Sequence, residues 1–577
     1  MSYSKNQIVT VKIEDMGENS EGIGRIDGYT LFVKDALIGD EIQAKLTKVK
    51  KNYAYARIEK VLTPSENRIE PLCRYHRQCG GCQIQALSYE EQLRYKEQKV
   101  KNHLMRIGGF AKPLLDAITE PIIGMEEGSD FRYRNKAQFP IGTNKEGELI
   151  TGFYAGRTHS IIANTDCFLG DVVNEPILKV ILAHMKEHHI PAYDETTQKG
   201  LVRHVLIRVG RVTREVMVSI VINGKKYPEW ESLCEELRET ISKKSYSLEH
   251  LSLSVNKKNT NVIMGEEIKL LYGKPAIEDV LCGLTFSISP LSFYQVNPVQ
   301  AERLYQTALE YASLTGREAV WDLYCGIGTI SLCLARAAGQ VYGVEIIPDA
   351  IRDAKENAIR NGVANAQFFV GKAEEVLPAF YEGKLKYEYG NDRCFESETE
   401  DALGGESDLL HPDVIVVDPP RKGCDEKCLE TMVKMMPDRI VYVSCDSATL
   451  ARDAKYLCEN GYELKRVRTC DMFPQTSHVE TVVLLSWKGI DDFMYVDYAP
   501  DHHVIQGGKA TYKEITEWIQ ETYGAHVTNL NIAQVKDKCG FEKRENYNKG
   551  TEGHRVPNCT PEKEQMIMAS ISGQMKN

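Results

Sequence analysis

The chain has 577 residues, which is too long for one hydrophobic core, so three or four domains are expected. Charged residues make up 27% of it, and no apolar run approaches the ~18–20 residues that a membrane span needs. Residues 1–10 lack the apolar stretch of a secretory signal, so we expect a cytoplasmic protein without a membrane partner. The 16 cysteines are too sparse for a disulfide scaffold and are expected to be core residues, metal ligands or nucleophiles.

The net charge of -11 is distributed unevenly, so it does not exclude a nucleic-acid partner. Residues 42–60 contain six basic side chains and one acidic one. Segment 382–410 is strongly acidic and contains Gly and Ser, which predicts a disordered insertion in a loop.

Residues 1–63 show short alternating runs separated by glycines, which predicts a small β-barrel. The predicted strands are Ile8–Ile13, Thr30–Val33, Glu41–Val49 and Tyr53–Val61. One edge interleaves Lys48, Tyr53, Tyr55 and Arg57, a combination that suits phosphate contacts and base stacking. A solvated strand face is the alternative. This stretch resembles a TRAM domain, an RNA-binding barrel, which favours the RNA interpretation.

The remainder predicts a multidomain α/β protein. Residues 64–290 mix strands and helices in a central α+β domain, and 291–487 contain a Rossmann-like parallel sheet. Its predicted strands are Ala319–Tyr324, Gln340–Glu345, Gln367–Gly371, Asp413–Asp418, Arg439–Ser444 and Glu480–Trp487. Residues 488–577 are expected to form a small helical extension of unknown role, with helices at about 511–524 and 529–538.

A glycine-rich turn follows the first of these strands, as a nucleotide-type site requires. Gly326 and Gly328 let the backbone approach a ligand closely, and Glu345 ends the next strand, where it can accept both ribose hydroxyls. A dinucleotide site would need a third glycine, but the turn continues as Thr329-Ile-Ser331. S-adenosylmethionine has no phosphate and tolerates that loss. With Asp418 at the fourth strand's end, the pattern predicts an S-adenosylmethionine site.

The segment Asp418-Pro-Pro-Arg421 indicates which atom is methylated. Enzymes that methylate exocyclic amines carry an aromatic residue after the two prolines, and Arg421 cannot stack in that way. Carbon 5 of uracil instead requires a thiolate that adds to carbon 6 and a base that later removes the carbon-5 proton.

Cys445 is the candidate for that thiolate. It follows the fifth strand at the carboxyl edge of the sheet and precedes a helix beginning near Ala448, whose dipole is expected to favour the thiolate. A buried cysteine at a strand end is the alternative.

Three cysteines stand close together as Cys73-x5-Cys79-Gly-Gly-Cys82, and Cys167 is the candidate for a fourth ligand. Soft thiolates suit iron–sulfur or zinc, and spacing alone does not separate the two. The spacing differs from the C-x3-C-x2-C of radical enzymes, which disfavours a radical methylation mechanism.

Four motifs resemble those of the RNA uracil-5-methyltransferases, over roughly residues 1–487. They are Ser444–Asp453 around the nucleophile, Asp471–Val482, Phe293–Asn297 and the middle-domain motif Phe131–Pro140. The resemblance implies Cys445 as nucleophile and Glu480 as proton-abstracting base. It places Gln295, Tyr324, Glu345 and Asp418 around the cofactor, while Thr329 departs from the asparagine of some members.

The resemblance also implies a 4Fe-4S cluster on Cys73, Cys79, Cys82 and Cys167, with zinc as the alternative. The arginines and aromatics of Phe131–Pro140 are expected to hold phosphates and to stack on bases, or else to form a solvated strand face. A TRAM-like barrel together with iron–sulfur cysteines favours large-subunit (23S) ribosomal RNA as the substrate over tRNA. A catalytically inactive RNA-binding protein or chaperone is the remaining alternative. No obligate protein partner is expected.

Overall fold

The computed structural model describes residues 3–156, 158–381, 385–387, 394–396, 412–488 and four isolated positions further on, 519, 520, 563 and 567. The chain divides into two compact units, residues 1–491 and 492–577. The predicted C-terminal helices lie outside the described residues except for positions 519 and 520. Among the described residues, no helix is both long enough and apolar enough to cross a membrane.

The N-terminal barrel is confirmed. It is closed and consists of β1 (Ile8–Met16), β2 (Gly22–Ile26), β3 (Tyr29–Lys34), β4 (Glu41–Val49) and β5 (Tyr53–Thr63). Sequence analysis missed β2 because its glycines were interpreted as strand ends. A Cβ atom at Gly24 would lie 2.5 Å from the carbonyl oxygen of Lys12, so this glycine lets two strands of a narrow barrel approach each other.

The central domain contains a seven-stranded sheet. Its strands are β7 (Lys136–Thr143), β8 (Leu149–Tyr154), β9 (Ile161–Ala163), β10 (Val202–Val209), β11 (Glu215–Ile222), β12 (Ser247–Val255) and β13 (Glu267–Gly273). They are ordered β13-β12-β11-β10-β7-β8-β9. Helices α3 (Asn174–Glu187) and α4 (Trp230–Ser242) share one apolar cluster with this sheet. The hairpin β14 (Ile277–Leu281) and β15 (Leu284–Ile288) follows it.

An eight-stranded sheet forms the Rossmann-like domain. Its strands are β6 (Thr119–Ile123), β16 (Ala319–Leu323), β17 (Gln340–Glu345), β18 (Ala366–Val370), β21 (Val414–Val417), β22 (Arg439–Ser444), β23 (Tyr462–Cys470) and β24 (Glu480–Trp487). The order is β18-β17-β16-β21-β22-β24-β23-β6. The first five strands are parallel, whereas β24 is antiparallel to both β22 and β23. The short strands β19 (Leu385–Tyr387) and β20 (Cys394–Glu396) lie within the predicted insertion.

Helices cover both faces of this sheet. Residues of α5 (Pro298–Ala312), α6 (Thr329–Ala335) and α7 (Pro348–Arg360) belong to one apolar cluster. Residues of α1 (Tyr89–Arg106), α2 (Lys112–Ile118), α8 (Ala373–Tyr381), α9 (Glu426–Met435) and α10 (Ser447–Glu459) belong to the other. The side chains of β16 alternate between the two clusters, as the period of two in a strand requires.

Strands β6 and β23 were not predicted. Strand β6 lies within the predicted central segment 64–290, yet it pairs in parallel with β23 at the edge of the Rossmann-like sheet. It contains Pro121, and a proline is tolerated there because an edge strand leaves one row of backbone groups unpaired. Residues from both sides of position 290 therefore build this sheet.

Candidate active site

The predicted glycine turn connects β16 to α6. The N–H groups of Tyr324 and Cys325 donate to the carbonyl oxygen of Val344 at 2.9 and 3.0 Å. The N–H of Gly326 donates to the Glu345 carboxylate at 3.2 Å. The structure therefore brings together the turn and the acidic strand end that the sequence predicted.

Three carboxyl groups meet at this edge. Asp322 is fully buried, and burial together with nearby Asp418 and Glu345 raises its pKa to about 7. Burial also raises the pKa of Asp418 to about 7. Asp322 accepts a hydrogen bond from Ser331, while its Oδ1 atom is buried without a partner. Sequence analysis did not select Asp322 as a site residue, although it opens the glycine-turn motif.

Thr329 and Gln295 are the two remaining predicted cofactor residues, one at the start of α6 and the other before α5. The Thr329 hydroxyl, at the start of α6, is 3.1 Å from the hydroxyl of Tyr305. Gln295 is buried, and its carbonyl oxygen accepts a hydrogen bond from the side chain of Asn135 at 3.0 Å. This bond joins the Gln295 segment to the central domain.

Cys445 directly follows β22, and Glu480 is the first residue of β24, the strand that pairs with β22. Ser444 pairs with Thr481 in the antiparallel ladder of β22 and β24. Cys445 comes directly after Ser444 and Glu480 directly before Thr481, so the register places the two residues opposite each other. Glu480 is 4% exposed, and burial and Asp418 raise its pKa to about 8, whereas Arg421 acts in the opposite direction. A carboxylate with this pKa can both accept and release a proton near neutral pH.

The helix dipole was expected to favour a Cys445 thiolate, whereas the surroundings of the thiol act in the opposite direction. Burial, Glu480 and Asp418 together raise the pKa of the thiol to about 11. Helix α10 begins close to the predicted residue, but the Asp446 side chain caps it and accepts from the N–H groups of Ala448 and Thr449. The cap supplies a negative charge beside Cys445 and occupies donors that would otherwise stabilise a thiolate.

A cavity of about 180 Å³ opens beside Cys445, and several of its residues were missed by sequence analysis. Lys99 of α1 donates to the carbonyl oxygens of Glu18 and Ser477 at 3.1 and 3.2 Å. His103, one turn further, lies 2.8 Å from the hydroxyl of Ser447. The barrel, α1 and the Rossmann-like domain therefore meet at Cys445, and only their three-dimensional arrangement makes this visible.

The four predicted metal-binding cysteines line one cavity of about 410 Å³, which identifies Cys167 as the neighbour of the other three. Burial and the neighbouring thiols raise the pKa of Cys82 and Cys167. Among the described residues, however, no three His, Cys, Asp or Glu side chains are arranged to hold a single metal ion.

The motif Phe131–Pro140 lies between the cysteines and the Rossmann-like domain. Tyr133 is 2% exposed and donates to the carbonyl oxygen of Pro474 at 3.0 Å, and Phe139 is fully buried. The prediction that these two aromatic rings stack on bases is therefore wrong. Arg134 lies over the ring of Phe473, 5.8 Å from its centroid. The motif connects domains through these contacts.

A parallel sheet with a glycine turn after β16, a carboxylate at the end of β17 and a second one after β21 defines an S-adenosylmethionine-dependent methyltransferase. The attached barrel, which matches the TRAM domain model over residues 4–58, indicates an RNA substrate.

Comparison with known proteins agrees with this class. An uncharacterized RNA methyltransferase of Halalkalibacterium halodurans is 45% identical over 84% of this chain and 98% of its own length. One from Clostridium tetani is 43% identical over 84% and 97%. The solved structure of Pyrococcus abyssi tRNA (uracil-54, C5)-methyltransferase with S-adenosyl-L-homocysteine has a TM-score of 0.62 and 26% identity, over 83% of this chain and all of that one.

The profile of the tRNA (Uracil-5-)-methyltransferase family matches residues 89–488. The chain belongs to this family and is an S-adenosylmethionine-dependent RNA methyltransferase.

Proposed function

We propose that the enzyme transfers the methyl group of S-adenosylmethionine to carbon 5 of a uridine in RNA through a covalent Cys445 adduct. The adjacent positions of Cys445 and Glu480 at the carboxyl edge of the sheet carry this proposal. The Cys445 sulfur adds to carbon 6 of the ring, which makes carbon 5 nucleophilic toward the methyl group. Glu480 then removes the carbon-5 proton, and the bond between sulfur and carbon 6 breaks.

The thiol must lose its proton before it attacks. With a pKa of about 11 the thiol is mainly protonated near neutral pH, so ionisation must be coupled to substrate binding. Glu480, with a pKa of about 8, would accept the carbon-5 proton after methyl transfer, when it is in its ionised form.

A 5-fluorouridine RNA tests the covalent step, because fluorine at carbon 5 prevents proton removal and leaves a stable adduct. We expect a covalent protein–RNA complex on a denaturing gel with the native enzyme and with Cys458→Ala, which removes another partly exposed cysteine. Cys445→Ala should give none. A complex formed by Cys445→Ala, or its absence with the native enzyme, would refute the mechanism.

The cofactor site is proposed to consist of the glycine turn and its acidic neighbours. Glu345 would accept the ribose hydroxyls, and Tyr324, Gly326, Gly328, Thr329 and Gln295 would surround the rest of the molecule. Asp418 and Asp322, when ionised, would supply negative charge for the sulfonium group of the cofactor. The bond from Gly326 to Glu345 supports this arrangement, since it fixes the turn against the carboxylate.

The cysteine cavity is proposed to hold a 4Fe-4S cluster. Tetrahedral zinc with Zn–S bonds of ~2.3 Å brings its thiolates within ~3.8 Å of each other. A cluster binds each cysteine to a different iron, so its thiolates stand further apart. Four cysteines that line one cavity of about 410 Å³ can supply one thiolate to each iron of such a cluster. Iron and sulfide analysis of anaerobically purified protein tests this, and stoichiometric zinc would contradict it.

Large-subunit ribosomal RNA is the proposed substrate, on the basis of the TRAM-like barrel combined with the cysteine motif. The similarity to a tRNA-methylating enzyme of Pyrococcus abyssi supports tRNA as the second candidate. Mapping 5-methyluridine in both RNAs from a strain without the gene distinguishes them. Loss of the modification from ribosomal RNA alone is expected, and its loss from tRNA would favour the second candidate.

A further inference from the structure

The loop 471–479 connects β23 to β24 and ends at Glu480. Seven of its nine residues are buried, although loops normally lie on the surface. The polar backbone groups of a buried loop need hydrogen-bonding partners. In this loop many of those partners come from α1 and from the segment that carries the first three cysteines.

Gln475 is the centre of these contacts. Its φ is 70°, a left-handed conformation that is unfavourable for a residue with a side chain. Its N–H donates to the Gln92 side chain at 3.0 Å, and its carbonyl oxygen accepts from the N–H groups of Gln83 and Ile84 at 3.1 and 3.2 Å. Its side chain accepts from Gln92 at 2.9 Å and donates to Asp130 at 2.7 Å. Five hydrogen bonds therefore hold Gln475 in this conformation.

Gln83 extends this network to the cysteines. Its side-chain amide donates to the carbonyl oxygen of Gly80, between Cys79 and Cys82, at 2.9 Å. Its side-chain oxygen accepts from the N–H of Ser477 at 3.3 Å. One glutamine side chain thus bonds both to the cysteine loop and to the loop that precedes Glu480.

Lys96 of α1 fixes the beginning of the same loop. Its ammonium group forms an ion pair with Asp471, and both side chains are fully buried. It also donates to the carbonyl oxygen of Phe473 at 3.0 Å. The loop is therefore held at several points by residues that precede it by more than 300 positions.

We propose that Gln475 is a positioning residue that keeps Glu480 beside Cys445, and that Gln83 couples this position to the cysteine site. Cys445 lies outside this loop, between the end of β22 and the start of α10, which the Asp446 side chain caps. Loosening the loop should therefore displace the base and leave the nucleophile in place. The inference rests on the proposed function and predicts a defect in one step of it.

That defect has a specific product. If Glu480 is displaced, sulfur still adds to carbon 6 and the methyl group still moves to carbon 5. The carbon-5 proton then stays, so the bond between sulfur and carbon 6 does not break. Methylated RNA should accumulate as a covalent complex with an ordinary uridine substrate.

The experiment uses the metal-loaded enzyme, ordinary RNA and S-adenosylmethionine with a radiolabelled methyl group. The label in protein-bound RNA is measured on a denaturing gel. For Gln475→Ala and Gln83→Ala we expect at least about 10-fold more bound label than for the native enzyme, with slower release of product. Gln98→Ala is the matched control, because Gln98 lies on the exposed face of α1 and its side chain donates to Asn102.

Other results would separate a failure of the positioning role of Gln475 and Gln83 from a failure of the covalent mechanism. If Glu480→Gln accumulates the complex but both glutamine variants behave as native enzyme, this inference fails and the proposed function stands. If both variants bind S-adenosylmethionine normally but form no adduct with 5-fluorouridine RNA, the network serves the nucleophile, which also refutes the inference. If Cys445→Ala retains the adduct, the proposed function itself fails.

Hydrogen–deuterium exchange provides a readout that does not depend on turnover. Amides 475–479 should exchange faster in Gln83→Ala and after chelation of the metal, and at the native rate in Gln98→Ala. Unchanged exchange after metal removal would refute the coupling to the cysteine site, even if Gln475→Ala accumulates the adduct.

Discussion

Cys445 and Glu480 are 35 positions apart in sequence, yet the antiparallel register of β22 and β24 places them next to each other. Glu480 raises the pKa of the Cys445 thiol, and the burial of both groups disfavours their charged forms. The pair therefore binds protons more tightly than isolated side chains would. Four predictions concern this pair, the cofactor turn, the barrel and the buried ion pair of α1.

The single-turnover rate of RNA methylation should increase with pH through about 8. Glu480 must be ionised to accept a proton, and its pKa is raised to about 8 by burial and Asp418. The Cys445 thiolate also becomes more abundant as pH rises toward about 11. Arg421 lowers both pKa values, so Arg421→Met should move the ascending limb to higher pH. Single-turnover rates between pH 6 and 9.5 measure this, with Lys455→Met on the exposed side of α10 as control.

Glu345→Ala should weaken binding of S-adenosylmethionine by about 10- to 100-fold, because two hydrogen bonds from ribose hydroxyls to a charged acceptor are lost. Isothermal titration calorimetry measures the dissociation constant. Glu356→Ala, an exposed carboxylate on α7, is the matched control and should bind normally. Equal affinities for the two variants would mean that the ribose is held elsewhere.

Tyr55→Ala should weaken RNA binding by about 1–3 kcal/mol with little change in its salt dependence. Tyr55 is 40% exposed on the barrel, and its ring lies 5.7 Å from those of Phe32 and Tyr53, which forms a surface on which a base can stack. Lys48 pairs with Tyr55 across β4 and β5 and is expected to contact an RNA phosphate instead of a base. Lys48→Ala is therefore expected to reduce the slope of log K against log salt by about 1. Fluorescence anisotropy over a salt series separates the two effects.

Lys96→Met should destabilise the protein by about 3–5 kcal/mol, because it leaves the Asp471 carboxylate buried without its partner. Lys96→Met combined with Asp471→Leu removes both charges and should cost less than the sum of the single changes. Urea unfolding monitored by fluorescence measures these differences. Strict additivity would indicate that the two buried charges do not interact.

Features carried by contiguous residues could be predicted from the sequence alone. The glycine turn, Glu345 at a strand end and Cys445 between β22 and α10 are each defined by local backbone geometry and hydrophobic periodicity. The cysteine motif was recognisable for the same reason, since three of its four members lie within ten residues. Local prediction failed at Gly22 and Gly24, where close packing of strands, and not a turn, requires glycine.

The tertiary structure alone decided which distant residues meet and in what electrostatic surroundings. It brought Cys167 to the other three cysteines, added β6 to the Rossmann-like sheet and gave Gln475 its partners on α1. It also determined the surroundings of the Cys445 thiol, whose pKa is raised by burial and by carboxyl groups from other strands. A sequence specifies side chains and their local order, whereas desolvation and Coulomb interactions depend on distances between segments, which only the folded chain fixes.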